Sequence, residues 1–539
     1  MVRGILAVLV LAAVAILGLV GCGDSGGGKE GGTLLGTYSS FPELDPGLAI
    51  TQEAWIAMYN TYLPLLTYAH ANGSAGSQVV PALAKGLPKI SNGGKTYTLF
   101  LRPGLKYSNG EPVKPSDFRF AIERTIRLNS LGSPFYTNIV GAEEFQETKQ
   151  GGIPGIKAND RTGEIVVDLV RPQGTFLNVL AMPFAAPLPE STPIEDLSSH
   201  PPAASGPYLI ASVRSERSWE FERNPQWAKT NSKAMPDLPS GHVDKIKIDV
   251  VRNQATQVSD VEQGKYDWME NPPPPDQYNR IRQQFEGTQF RVEHTISTYY
   301  FWMNTTKPPF DDPKVRQAVN YAVNREALER IYAGQLIGSS QILPPGMPGY
   351  RKFDHYHYNL AKAKRMIAEA NPSDTSVTVW TDNEPENQEA GEYYDGVLKE
   401  IGLKPTLKAI NADNYFTVIG NQSTPDLDTG WSDWFQDYPH PSDFFQPLIG
   451  ENIAPTSNLN IALMNDPELN QEVRRLGEQQ LGPKQESEYA ELDERYMEQA
   501  PWAPYGNRTV STFISSAINL DNVVFNLTFG QDLTSFEFK

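Results

Sequence analysis

Leu101-Arg102-Pro103-Gly104-Leu105-Lys106-Tyr107-Ser108-Asn109-Gly110-Glu111-Pro112-Val113, followed by Pro115-Ser116-Asp117-Phe118, is the stretch whose reading decides the fold. It leaves an alternating run, Thr96 to Leu101, that reads as a strand. Asn109-Gly110 offers the two left-handed positions of a tight turn. Ser116 or Asp117 can then cap a helix through Phe118, Ile122 and Ile126. Outward toward the N-terminus, Thr33 to Tyr38 reads as an opening strand and Gln52 to Tyr62 as a helix with Trp55, Ile56 and Tyr59 at helical spacing. Toward the C-terminus, Glu164 to Leu169 alternates and the prolines of 201–207 punctuate. Lys245 to Val250 forms a strand before a helix from Gln254 to Gln263, stopped by Gly264. Further on, Asn359 can cap a helix carrying Leu360, Ala363 and Ile367. Ser376 to Trp380 is a strand, Val397, Leu398 and Ile401 close a helix stopped by Gly402, and Thr406 to Ile410 is the next strand. Strand-helix-strand order of this kind predicts an α/β protein.

The 539 residues carry a net charge of -18 and a sequence pI near 5.0, with 39% hydrophobic residues. This is enough apolar material for a large core, and the acidic balance argues against a nucleic-acid partner or docking on an anionic bilayer through charge. Cys22 is the single cysteine, so no intrachain disulfide can form. Met1-Val2-Arg3 and the uncharged run Gly4 to Val20 have the layout of an export signal, assigned to 1–21. Leu19-Val20-Gly21-Cys22 resembles a bacterial lipobox, which implies lipidation of Cys22. The Gly-rich segment 22–32 then acts as a flexible tether.

Several stretches together resemble the bacterial extracellular solute-binding proteins of the oligopeptide and dipeptide type, receptors of ABC importers. Beyond 101–118 they are Ser205-Gly206-Pro207-Tyr208, Arg223-Asn224-Pro225-Gln226-Trp227, Phe310-Asp311-Asp312-Pro313-Lys314-Val315-Arg316-Gln317-Ala318 and Val323-Asn324-Arg325-Glu326. The resemblance implies a two-lobed, hinged fold like the type II periplasmic binding proteins. Lobe one would span 33–294 with an extra subdomain at about 66–202, and lobe two 295–503. The segment 504–539 would return to lobe one. It implies a peptide ligand in the interlobe cleft, an ABC permease as partner, a monomer, an extracytoplasmic location, and no cofactor, metal or catalysis.

In that family a Gly-Trp strand pairs with the ligand backbone, and an Asp in an Asp-x-x-x-Pro turn binds the α-ammonium. Here the matching residues are Gly430, Trp431, Ser432, Trp434 and, by its spacing to Pro441, Asp437; Asp433 competes for the ammonium. Tyr299, Tyr300 and Tyr505 are candidates to line the cleft. A sugar, nickel or a metal chelate remains open as the ligand, with His440 and His355-x-His357 as the only histidines of interest. A signalling receptor that senses peptides without importing them would use the same chemistry. An exported enzyme is the rival class, but no His-Glu-x-x-His occurs, the Gly-x-Ser-x-Gly and Gly-x-x-x-x-Gly-Lys spacings fall only at Gly23 to Lys29 within the Gly-rich tether, and thiol catalysis is excluded from the folded body.

Overall fold

In the computed structural model, residues 29–353 and 355–539 are described, and the export-signal and Cys22 readings lie outside them. Twelve strands make the organising sheet. In chain order they are β1 (Thr33–Tyr38), β2 (Tyr208–Arg214), β3 (Ser218–Arg223), β4 (Lys245–Val250), β5 (Trp268–Met269) and β6 (Phe290–His294). They continue with β7 (Ser297–Met303), β8 (Leu336–Gly338), β9 (Ser376–Asp382), β10 (Lys404–Ile410), β11 (Thr429–Phe435) and β12 (Trp502–Ile514). The spatial order is β10-β9-β11-β7-β12-β5-β1-β4-β3-β2, with β6 and β8 also paired to β12.

The parallel pair β9/β10 is joined by the helix Pro385–Glu400, the crossover such pairs require. β12 joins the two halves of the sheet. Its Trp502, Ala503, Pro504 and Gly506 pair with β7, and its residues Thr509 to Phe513 pair with β6. A bulge opens between Tyr299 and Tyr300, where Pro504 sits without an N–H to give the ladder.

The buried apolar side chains gather into two large cores and a small one. The first runs from Leu34 to Ile248 and takes in Ile514 to Phe536; the second runs from Ile296 to Tyr505 and takes in Phe525 and Leu527. The chain passes between them at Thr295-Ile296 and again inside β12, giving the two-lobed α/β architecture. A separate four-stranded antiparallel sheet, Lys89–Ser91, Thr96–Phe100, Glu164–Asp168 and Ile156–Asn159, packs its core continuously with that of the first lobe.

Two local expectations are corrected. Of Asn109-Gly110 only Gly110 is left-handed, at φ +91°. Asn109 instead closes the turn with its side chain, Oδ1 accepting from Glu111 N at 3.0 Å. The following helix starts at Pro115, so its cap position is Lys114 rather than Ser116 or Asp117. Asp117 acts from inside the first turn, accepting from Lys114 N at 2.8 Å, while Ser116 donates its hydroxyl to Asp160.

That helix, Pro115–Arg127, carries a fully buried ion pair. Arg124 donates from Nη1 and Nη2 to the two oxygens of Asp45 at 2.8 and 2.6 Å, with neither side chain exposed. Its remaining donors reach Pro193 O and Glu195 O, both at 2.7 Å. Gly47 N and Leu197 N complete the carboxylate. Replacing Arg124 by Leu leaves Asp45 buried and unpaired, so a loss of ~3–5 kcal/mol is expected. Thermal unfolding should show a large drop for Arg124→Leu and partial recovery in Arg124→Leu/Asp45→Leu. Equal midpoints for the single variant and the parent would contradict this role.

Candidate functional site

β11 sorts its residues by parity. Gln436 N donates to Ile296 O at 3.0 Å, which turns the main-chain groups of Gly430, Ser432 and Trp434 toward β7. Those of Trp431, Asp433 and Phe435 therefore face the opposite edge. β9 covers that edge only at Thr429 and Gly430, and no strand follows beyond it among the described residues. Trp431 O is occupied by the Tyr415 hydroxyl at 2.7 Å and by Trp302 Nε1 at 3.2 Å. Asp433 and Phe435 are left without a neighbouring strand on this edge, and Asp433 O is reached by the Ser432 hydroxyl at 3.5 Å.

The side chains divide in the same way. Trp431, Asp433 and Phe435 share one face with Tyr299. Trp431 Nε1 donates to Tyr505 Oη at 2.9 Å, and Tyr505 bonds Tyr332 at 3.0 Å, all within the buried core. Asp433 accepts from the Tyr299 hydroxyl; burial, reinforced by Asp382, raises its pKa to about 7. Tyr300 lies on the other face, stacked on Trp502 with centroids 3.6 Å apart. Gly430 is interior to the sheet, where an added Cβ would come within 2.4 Å of Trp380 O. Ser432 is buried beside Tyr300, and Trp434 Nε1 donates to Asp443 at 3.1 Å. Tyr299, Tyr300, Tyr505, Gly430, Trp431, Ser432, Asp433 and Trp434 thus serve the core and the sheet, and none of their side chains lines the interlobe cavity.

Asp437 does line it. The cavity, about 460 Å³, has one wall from Ile50, Trp55, Leu131, Phe135 and Phe184 of the first lobe. Ile296, Phe435 and Asp437 face them, with Leu527 and Thr528 from the C-terminal segment. No protein group among the described residues donates to the Asp437 carboxylate, and burial alone raises its pKa to about 6. Its main chain is fixed by Asp443, whose Oδ2 accepts from Asp437 N at 3.0 Å. Asp443 is itself held well above the usual carboxylate range by burial and by Asp437. The reading of the sequence missed Asp443, although it follows the same proline turn by two residues. It also missed the whole first-lobe wall.

The histidines are placed elsewhere. His440 is buried, and burial holds its pKa down to about 3; its Nδ1 meets Ser442 Oγ at 2.8 Å. His357 borders a larger hollow of about 550 Å³ inside the second lobe, which contains none of the residues expected to bind a peptide. One set of potential metal donors converges among the described residues, Glu30, His242 and Glu537. The Arg223 guanidinium also reaches Glu30 there, at 3.6 Å, and supplies a cation in place of a metal.

The two lobes also touch near the cavity. Gly174 N donates to Gly477 O at 2.8 Å, an approach so close that a Cβ on Gly174 would fall 1.9 Å from Gln479 O. Gln480 Nε2 donates to Tyr97 Oη at 2.9 Å, and the Tyr438 ring meets Phe135 edge-on at 6.3 Å.

Residues 78–455 match the family model described as bacterial extracellular solute-binding proteins, family 5 Middle. The glutathione-binding protein GsiB of Salmonella paratyphi A is 23% identical over 446 residues, covering 79% of this chain and 80% of that protein. GsiB of Escherichia coli O1:K1 / APEC is 23% identical over 77% of this chain and 78% of its own length. Among solved structures, the clavulanic acid biosynthesis oligopeptide binding protein 2 superimposes with a TM-score of 0.83 at 23% identity, over 95% of this chain and 96% of that one. DppA from Helicobacter pylori, in complex with the peptide STSA, gives 0.69 at 20% identity over 95% and 99%. These relatives are binding proteins, and no helix among the described residues is long and apolar enough to cross a membrane.

The raised pKa of Asp437 has a consequence for stability. The folded state holds this proton more tightly than the unfolded chain, so the stabilising contribution is full below about pH 4 and is lost as pH rises through about 6. Above that the unpaired carboxylate costs roughly 2–3 kcal/mol. Asp437→Asn is expected to raise the unfolding midpoint of ligand-free protein at pH 7.5, with the gain vanishing near pH 4. A midpoint lowered at pH 7.5 would mean that the carboxylate has a stabilising partner.

Proposed function

The chain belongs to the bacterial extracellular solute-binding proteins of family 5, and on that footing we propose that it captures peptides between its lobes and delivers them to an ABC permease. The observation that carries this is the unpaired Asp437 carboxylate, set in an apolar-walled cavity at the end of the uncovered edge of β11. A peptide offers the two groups this arrangement lacks. Its α-ammonium meets Asp437, and its main chain pairs with that of Phe435 on the uncovered edge, leaving the side chains beyond the first free to vary. Asp433 is the weaker candidate for the ammonium, because Tyr299 already donates to its carboxylate.

The lobes, about 33–294 and 295–503, turn about Thr295-Ile296 and the middle of β12 to close on the ligand. The segment 504–539 serves both. The protein works as a monomer outside the membrane, tethered by a lipid on Cys22 through the Gly-rich segment 22–32. It performs no chemistry on the ligand. The STSA peptide of the Helicobacter relative and the oligopeptide name of the clavulanic acid relative support a peptide over a sugar, nickel or a chelate.

Native mass spectrometry of protein purified without added ligand should show bound masses matching short peptides; one mass matching a sugar or a metal would overturn the ligand. Asp437→Asn should weaken peptide binding by at least ~100-fold, as loss of one partner of a buried charge pair costs ~3–5 kcal/mol. Affinity of the parent protein should fall as pH drops through about 6, where Asp437 takes up its proton. Unchanged affinity in Asp437→Asn would remove that residue from the site.

A further inference from the structure

Resting on the peptide reading, we infer that this cavity selects ligands whose first residue bears a large apolar side chain and rejects those that bring a carboxylate into it, glutathione included. Two features of the wall lead there. Among the described residues lining the cavity, Asp437 is the only one that carries a charge, and no Lys, Arg or His is present. The ammonium of a peptide is matched, whereas a carboxylate beside it would lose its water with no donor of positive charge to replace it. Glutathione begins with a γ-glutamyl unit whose α-carboxylate sits on the same carbon as the ammonium. Anchoring that ammonium on Asp437 therefore brings the carboxylate into the cavity against a like charge.

The second feature is apolar surface held in water. Leu131 is 72% exposed, Phe435 44% and Ile50 39%, and all three border this one cavity. Large apolar side chains gathered and exposed around a hollow mark a surface that a ligand covers. They are held in place. Leu131 stands on a tight turn in which Ser133 N bonds Ser130 O at 3.0 Å. A Cβ on the next residue, Gly132, would lie 2.7 Å from the Phe184 ring, so the turn rests directly on that wall. Trp55 is aimed by its Nε1, which donates to Ala49 O at 2.8 Å. A Phe or Leu side chain following the ammonium covers this surface, and burying one such side chain contributes ~1.5–3 kcal/mol.

Calorimetric titration of the full chain with Phe-Ala-Ala, Glu-Ala-Ala and glutathione tests the inference. Phe-Ala-Ala should bind at least ~100-fold more tightly than Glu-Ala-Ala, with no measurable binding of glutathione. Leu131→Lys, at a solvent-exposed turn where the fold does not depend on the side chain, should narrow that ratio by at least ~10-fold by supplying the missing cation. Similar constants for Phe-Ala-Ala and Glu-Ala-Ala, or tight binding of glutathione, would overturn the selectivity and leave peptide capture standing. Failure of both peptides to bind would overturn peptide capture and the selectivity with it.

Discussion

The ion pair between Arg124 and Asp45 holds the first-lobe side of the cavity, and much of the site depends on it. Asp45 lies in a segment without regular structure, yet every oxygen it owns is used. Its carboxylate takes Arg124, Gly47 N and Leu197 N, and its carbonyl takes Leu48 N and Ala49 N at 3.0 and 2.9 Å. The helix Gln52–Thr61 begins at once, capped by Thr51, and presents Trp55 to the cavity. An apolar pair of equal volume could fill the same space, but it would not fix these directions at once. The planar guanidinium donates four hydrogen bonds, two to Asp45 and two that tie the same loop to a third stretch of chain through Pro193 O and Glu195 O.

On the opposite wall the constraint is the parity of β11. A strand sends alternate side chains to opposite faces, so a residue can belong to the core or to the edge chemistry according to a single step in register. Asp433 and Asp437 share that parity, but Asp437 lies two residues beyond the end of the strand. Both carry raised pKa values, but Asp433 reaches its value inside the tyrosine cluster with a hydroxyl donor, and Asp437 reaches its own by burial alone. A titration midpoint near neutrality does not distinguish them. The presence or absence of a partner does.

Local structure was largely legible in the sequence. The strand Thr33–Tyr38 begins and ends where alternation places it, and Asn359 caps its helix as its type suggests, accepting from Lys362 N at 2.9 Å. The Gly402 stop is a left-handed residue at φ +102°. Signals of this kind are short-range and steric, so residue type carries them. Of the expected site residues, Asp437, matched through the family's Asp-x-x-x-Pro spacing to Pro441, is the one whose side chain lines the cavity. Tyr300 and Tyr505 drew attention as aromatics, but type does not state which face of a sheet a side chain joins. Leu131 and Ile50 carried no signal at all, since what makes them notable is their exposure, and exposure depends on chain hundreds of residues away.

The cavity joins unfavourable arrangements that the rest of the fold sustains. A half-buried carboxylate lacks a protein donor, a strand edge ends without a neighbour, and large apolar side chains face solvent, each a departure from what a stable interior favours. The carboxylate and the apolar wall are not relieved by a small local shift, because Asp443 holds the main chain of Asp437 and the Gly132 turn and the Asp45 loop hold the wall. A ligand that satisfies all three at once gains from every one, whereas a ligand that satisfies one leaves the others standing. Pre-set walls of this kind spare the ordering cost that a flexible site would meet on binding. On the proposed reading they also couple capture to closure, since the charge sits on one lobe and most of the apolar wall on the other, and a molecule that touches both favours the arrangement in which they approach.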